Sequence, residues 1–425
     1  MRRSLRLLLL VCAVMALALP EAFTQSRPPQ PTEAPTGFDG ADNGFAAEFC
    51  ANQAALARSS TLSPAVPAGE CSLAAATEEF AGPEGESDGL GPIFNAAGCG
   101  ECHIANPVFG ATSQITETRA GLFQNGVFTD HPGGSLIHSR TLPDYIKFQE
   151  RVSPSRANVI AVRNTISVLG DGFVEAIDSN TLLAIVNAQP VAQRGQLVSV
   201  PVLEQPGQSR TGRFGHKTQQ ASLLSFAADA YVNEMGITSP MQTVEPTANG
   251  VVVTDPVPGN DDEGVDVALF ALFMRSTKAP PVDTAIANSA DGQRGSQLFD
   301  AVGCAVCHTR TIVTAPAGTT INGGALKVAN ALGNKIIHPF SDYALHDLGT
   351  GDGIVQNGGP TTRNKIRTPA LWGLRARGRF MHDNVSLSFE DAIARHGNQG
   401  AAARDAFNRL SSTDRRKLLT FLSSL

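Results

Sequence analysis

The sequence predicts a mainly α-helical protein with long loops, built from two related halves, and three observations carry that expectation. Cys-x-x-Cys-His occurs twice, as Cys99-Gly100-Glu101-Cys102-His103 and Cys304-Ala305-Val306-Cys307-His308. The residues around the two copies echo each other in order. Helix-starting and helix-stopping residues flank apolar periodic segments in a chain whose 41 glycines and 26 prolines demand many loops.

Each Cys-x-x-Cys-His string is the attachment signature of a c-type haem. Two thiols one helical turn apart can add to the two vinyl groups of one porphyrin. The adjacent histidine then lies under the iron as proximal ligand. Cys99, Cys102, Cys304 and Cys307 are therefore expected to bind haem, with His103 and His308 on the two irons. The expected cofactors are two covalently attached haem c groups, and the fold class is mainly α, with two cytochrome c-like haem domains and long loops.

The repeat extends beyond the strings. Phe94-Asn95-Ala96-Ala97-Gly98 precedes the first, and Phe299-Asp300-Ala301-Val302-Gly303 the second. Gly212-Arg213-Phe214-Gly215-His216 answers Gly378-Arg379-Phe380-Met381-His382. Arg163-Asn164-Thr165 and Arg367-Thr368-Pro369 lie upstream of these. Three echoes in one order predict two related domains.

Taken in order, residues 1–24 read as a signal peptide: Arg2, Arg3 and Arg6, then an apolar run from Leu7 to Leu19 too short to span a bilayer. The expected location is the periplasm, with no membrane span after signal removal. Residues 25–85 read as a disordered N-terminal extension, with Ser26 to Gly40 rich in Pro, Thr and Gly. Within it, Cys50 and Cys71 are expected to pair in an oxidising compartment. The N-terminal haem domain is placed at 86–281 and the C-terminal one at 282–425. Asp266 to Arg275 reads as an apolar helix. Ser411-Ser412-Thr413-Asp414 caps a terminal helix carrying Leu418 and Phe421. A net charge of −6 argues against nucleic acid and anionic membranes as partners. Oligomeric state is not readable.

The sixth ligand of each iron is the next question. Ser388-Phe389-Glu390-Asp391 is a capping box that starts a short helix ending at His396-Gly397. Phe389, Ala392, Ile393 and His396 share one face, which can cover a porphyrin and offer His396 to the second iron. His338, His346 and His382 read as structural. The offset that separates His382 from His396, applied to His216, lands on Ala230, which cannot bind iron. Four residues on stands Glu234. A carboxylate beside an open iron can take a proton from peroxide and return it to the departing oxygen. Glu234 is thus the candidate catalytic residue, with a terminal salt bridge as its structural alternative; His131, His138 and His216 are the residues that could still close the first iron.

On these motifs the chain resembles the dihaem cytochrome c peroxidase and MauG superfamily, most closely its di-haem oxidoreductase (thiol oxidoreductase-like) branch. The resemblance runs from about Gly89 to Leu425. It includes Asn233-Glu234-Met235-Gly236, His346-Asp347-Leu348-Gly349 and Arg367-Thr368-Pro369-Ala370-Leu371-Trp372. It implies a peroxide-reactive first haem, an electron-accepting second haem with His396 at its distal position, and Glu234 in the distal pocket. The glutamine that usually accompanies that glutamate is missing; Ser225 and Phe226 stand near its place. A calcium ion is a further candidate cofactor, and a small redox protein or other electron donor the expected partner. Two alternatives are a dihaem electron-transfer cytochrome without turnover and a MauG-like oxidase that modifies a protein. A haem-stabilised binding or sensing module is a third. Trp372, the only tryptophan, is placed by its motif near the second haem, for packing or for electron passage.

Overall fold

The computed structural model describes residues 30–38, 42–103, 115–153 and 155–425. The signal-peptide segment lies outside them, as do residues 26–29 and 39–40 of the Pro-rich stretch that follows it. Residues 31–425 form one compact unit. Among the described residues no helix is long and apolar enough to cross a membrane.

The segment expected to be disordered is largely folded. Thr32–Glu33 (β1) runs parallel to Lys335–Ile337 (β6), which also pairs antiparallel with Ile312–Val313 (β5). Phe45–Ala51 (α1) and Leu73–Ala81 (α2) bury Phe45, Phe49 and Phe80. Composition marks only Ser26 to Gly40 as unstructured, and the short helices beyond it cannot make a core alone. They gain order by lending three aromatic rings to a core assembled elsewhere. A Cys50–Cys71 disulfide closes a 21-residue separation and ties α1 to the start of α2. Replacing both cysteines by serine should lower unfolding stability by about 3 kcal/mol, the scale of a loop of that length. Denaturant melts would show it; an unchanged midpoint would mean that burial alone holds the segment.

Among the described residues 35% are helical and 16% extended, so the expected mainly helical fold carries a mixed component. The largest sheet among the described residues is a three-stranded antiparallel one of Ile115–Gln124 (β2), Val127–Asp130 (β3) and Val159–Asn164 (β4), with β2 in the centre. Asn125-Gly126 takes positive φ at both turn residues, as a tight hairpin between right-twisted strands requires.

Two clusters of buried side chains organise the helices. The larger surrounds the apolar helix Val265–Ser276 (α5). It takes in α1, α2 and Leu223–Ala230 (α4), and it also draws on Ile312, Ile337, Tyr343 and Trp372 from the C-terminal part of the chain. The smaller joins Ala290–Ala301 (α6) to Ser412–Leu422 (α8) through Leu298, Phe299, Leu418 and Phe421. Gly295 lets α6 and α8 close together, since a Cβ there would strike the Lys417 carbonyl. Ser411 caps α8, its hydroxyl accepting from the Asp414 amide at 3.1 Å.

Candidate functional site: two haem-attachment strings

The second string leaves α6 at its C-terminal end, so Cys304, Cys307 and His308 border the smaller core. His308 Nδ1 lies 2.9 Å from the Phe340 carbonyl oxygen. A carbonyl only accepts, so Nδ1 carries the proton and Nε2 keeps the lone pair that a metal needs. Burial pulls the His308 imidazole down to about 4, which keeps it neutral.

Across the cavity, Ser388 caps Phe389–Ala394 (α7), its hydroxyl accepting from the Asp391 amide at 3.0 Å. The helix stops at Ala394, so His396 sits two residues beyond its end rather than in its last turn. The amide of His396 still bonds the Ile393 carbonyl, and its Nδ1 donates to the Ala392 carbonyl at 2.7 Å. Its Nε2 is therefore also a lone-pair donor, and burial lowers its pKa.

The ring centres of His308 and His396 are 6.5 Å apart. A metal held about 2 Å from one nitrogen of each ring puts the centres about 6 Å apart. Phe389, Ala392 and Ile393 line the same cavity as Cys304, Cys307 and both imidazoles. Two facing lone pairs in an apolar wall beside two thiols form a donor set suited to haem iron. Burial pushes the Cys304 thiol up to about 12, so it stays a neutral thiol.

The first string forms Cys99–Cys102 (α3). His103 is buried, its pKa drawn down to about 4, and its Nδ1 has no hydrogen-bond partner among the described residues. Its ring lies 5.8 Å from that of Phe80. Two thiols one turn apart and a neutral, unpartnered imidazole also suit haem.

Glu234 lies at the end of α4, where the helix widens into a π turn over Tyr231–Met235. Such turns recur at functional positions. Its backbone carbonyl accepts from the Asn95 and Ala96 amides, and Asn95 Nδ2 donates to Glu234 Oε2 at 3.1 Å. Asn95 belongs to the segment leading into Cys99, so the structure ties Glu234 to the first string. Burial, reinforced by the charge of Glu117 and opposed by Arg119, raises the carboxyl to about 7. No terminal salt bridge holds it among the described ion pairs.

The remaining histidines sort by their partners. His138 has both nitrogens engaged, by Glu150 at 2.8 Å and by the Asn233 carbonyl at 3.0 Å. His346 is engaged by Asp342 and by Cys307 Sγ, and His338 by Thr311 and Glu33. His131 is buried with both ring nitrogens unpartnered among the described residues. Trp372 packs into the larger core, against the turn at Gly170.

The echoed motifs meet crosswise. Asn164, from the first half, donates its amide to the His382 carbonyl and its Nδ2 to the Met381 carbonyl. Arg367, from the second half, donates its amide to the His216 carbonyl and its Nε to the Gly215 carbonyl. His216 Nε2 donates to the Asn164 carbonyl, and the His216 and His382 rings are 6.4 Å apart. This seam forms a wall of the second cavity. Behind it Asp352 pairs with Arg163 and Lys217, at 2.6 and 2.8 Å, all three buried. Nothing in the sequence marks this ion cluster, although Arg163 stands inside one echoed motif and Lys217 directly follows another. The carboxylates of Glu245, Asp255 and Asp261 also gather within 4.8 Å, each with one buried oxygen unpartnered among the described residues.

Two Cys-x-x-Cys-His strings with asymmetric surroundings suit a dihaem oxidoreductase. The chain belongs to the family described as "Di-haem oxidoreductase, putative peroxidase", which residues 155–425 match. The matched part holds the second string; the first precedes it. No curated protein matches the chain. Among solved structures it is similar to a Kuenenia stuttgartiensis hydrazine synthase, at 12% identity and TM-score 0.39 over 96% of this chain and 99% of that one. It is also similar to a MauG-like protein associated with microbial copper homeostasis, at 14% identity and TM-score 0.34 over 85% and 92%. A variant of the diheme peroxidase BthA from Burkholderia thailandensis matches at 14% identity and TM-score 0.36 over 93% and 90%. Likeness at this level supports no functional inference.

Proposed function

We propose that the protein is an exported dihaem c-type oxidoreductase. A donor, such as a small redox protein, would deliver electrons through the His308 haem to the His103 haem, where peroxide is reduced. The observation that carries this reading is the asymmetry of the two surroundings: two facing imidazoles at the second string, one imidazole and a buried carboxylate tied to the first. Bound haem would supply the redox chemistry. Cys99, Cys102 and His103 would hold one group, and Cys304, Cys307, His308 and His396 the other. Glu234 would take the first proton of peroxide and return it to the leaving oxygen, with Asn95 fixing its carboxylate. The Cys50–Cys71 disulfide supports an oxidising compartment.

Mass spectrometry of denatured protein tests the attachment, and two haem groups should remain on each chain. One or none would reject the proposal. His396→Ala should convert one low-spin haem to high-spin and leave the other unchanged, by electronic absorption and EPR. An unaltered spectrum would remove His396 from the iron.

The unpartnered His131 ring favours a second reading, a pure electron carrier in which this imidazole closes the first iron. Carbon monoxide or cyanide binding at one haem per chain separates the two, because a carrier with both irons closed binds neither.

A further inference from the structure

Two of the three tyrosines are fully buried, and their hydroxyls are treated differently. Tyr343 OH has no hydrogen-bond partner among the described residues. Tyr231 is 1% exposed, and its hydroxyl donates to Glu84 Oε1 at 3.0 Å. Oxidising a phenol by one electron makes its proton strongly acidic, so a buried tyrosine can be oxidised readily only if a base stands at its oxygen. Tyr231 has one in Glu84; Tyr343 has none among the described residues.

Tyr231 is also connected by aromatic contacts to the first haem string. Its ring meets Phe270 edge-on at 5.0 Å, Phe270 meets Phe80 at 6.1 Å, and Phe80 meets His103 at 5.8 Å. All are within the range of direct ring contact. Glu84 belongs to the same neighbourhood, its amide donating to the Ala97 carbonyl two residues before Cys99.

We infer that Tyr231 is a redox-active tyrosine serving the His103 site, giving up an electron through Phe270 and Phe80 and its phenolic proton to Glu84. The inference rests on the proposed haem at His103. The balance is as follows. Peroxide accepts two electrons and two solvent protons and leaves as two waters. One electron comes from the reduced His308 haem and the other from Tyr231. The Tyr231 O–H bond breaks, its proton becomes the carboxyl proton of Glu84, and a neutral phenoxyl remains. Burial and the neighbouring Glu84 charge raise the pKa of the phenol far above its ordinary value, so the proton cannot leave ahead of the electron. The phenoxyl would store an oxidising equivalent in the core when no second donor electron arrives.

The test is freeze-quench EPR on the full two-haem protein, with the second haem reduced, after one equivalent of hydrogen peroxide. A phenoxyl signal is expected, and ring-deuterated tyrosine should collapse its hyperfine pattern. Tyr231→Phe should abolish the signal while haem content and carbon monoxide binding stay as in the parent. Glu84→Gln, which keeps the tyrosine but removes its base, should also abolish it. Tyr343→Phe should leave it intact. A parallel series uses photogenerated tris-bipyridine ruthenium(III), a one-electron oxidant that needs no peroxide chemistry. A Tyr231-dependent phenoxyl with ruthenium but not with peroxide would sustain this inference and overturn the peroxide reading. No phenoxyl under either oxidant, or one that survives Tyr231→Phe, would overturn the inference itself.

Discussion

Glu234→Gln is expected to slow peroxide consumption by about 10²-fold, the usual scale for a lost acid–base group. The replacement keeps the size of the side chain and its contact with Asn95. Carbon monoxide binding at the His103 haem should therefore stay nearly unchanged. The raised carboxyl, at about 7, gives the parent a pH signature. Below that value the group is protonated and cannot accept the peroxide proton; above it the base is present. Peroxide consumption should thus rise with pH through about 7 in the parent and run flat in the variant. Stopped-flow rates across that range would decide the matter, and equal rates in both proteins would reduce Glu234 to a structural residue.

Asp352→Asn is expected to destabilise the fold by about 3–5 kcal/mol, as breaking one partner of a buried ion cluster does. Arg163 and Lys217 would remain, both fully buried, without the charge that compensates them. Burial pushes the Asp352 carboxyl up, but the two cations overcome it and hold it near 2. An unfolded aspartate titrates near 4. The folded value is the lower one, so this stabilisation is full above about pH 4 and is lost as pH falls from there towards 2. Lys217 is itself drawn down by burial to about 8, with Asp352 opposing that shift. Denaturant melts at neutral and acid pH would check both points. The parent should lose stability on acidification and the variant should lose less; identical acid dependence would show that the cluster does not control it.

What could be read in the sequence was what lies within a few residues. Haem attachment is legible because the porphyrin fixes the spacing of two thiols and an imidazole. The caps at Ser388 and Ser411 are legible because a hydroxyl reaches an amide three residues on. The α5 helix shows itself by a long apolar run. Contacts across hundreds of residues are another matter. Nothing near Thr32 announces that its partner is Lys335, and nothing near Phe80 that its ring will meet His103. The Pro-rich composition of Ser26 to Gly40 therefore suggests disorder where Thr32 and Glu33 join a sheet. Glu234 was marked by position, yet the Asn95 that orients it and the Glu117 and Arg119 that set its charge come from distant segments. The end of α7 was misplaced by two residues because the Gly397 stop signal is shared by a helix and by the turn that follows it.

The crosswise seam between Asn164 and His382 on one side and Arg367 and His216 on the other joins the two halves through non-equivalent residues, since Thr368, which answers Asn164 in the echo, bonds the Ala344 carbonyl instead. Linkage then applies to the pair. If a change of state at one iron alters the seam by some free energy and so shifts ligand affinity at the other, the second must return the same shift to the first.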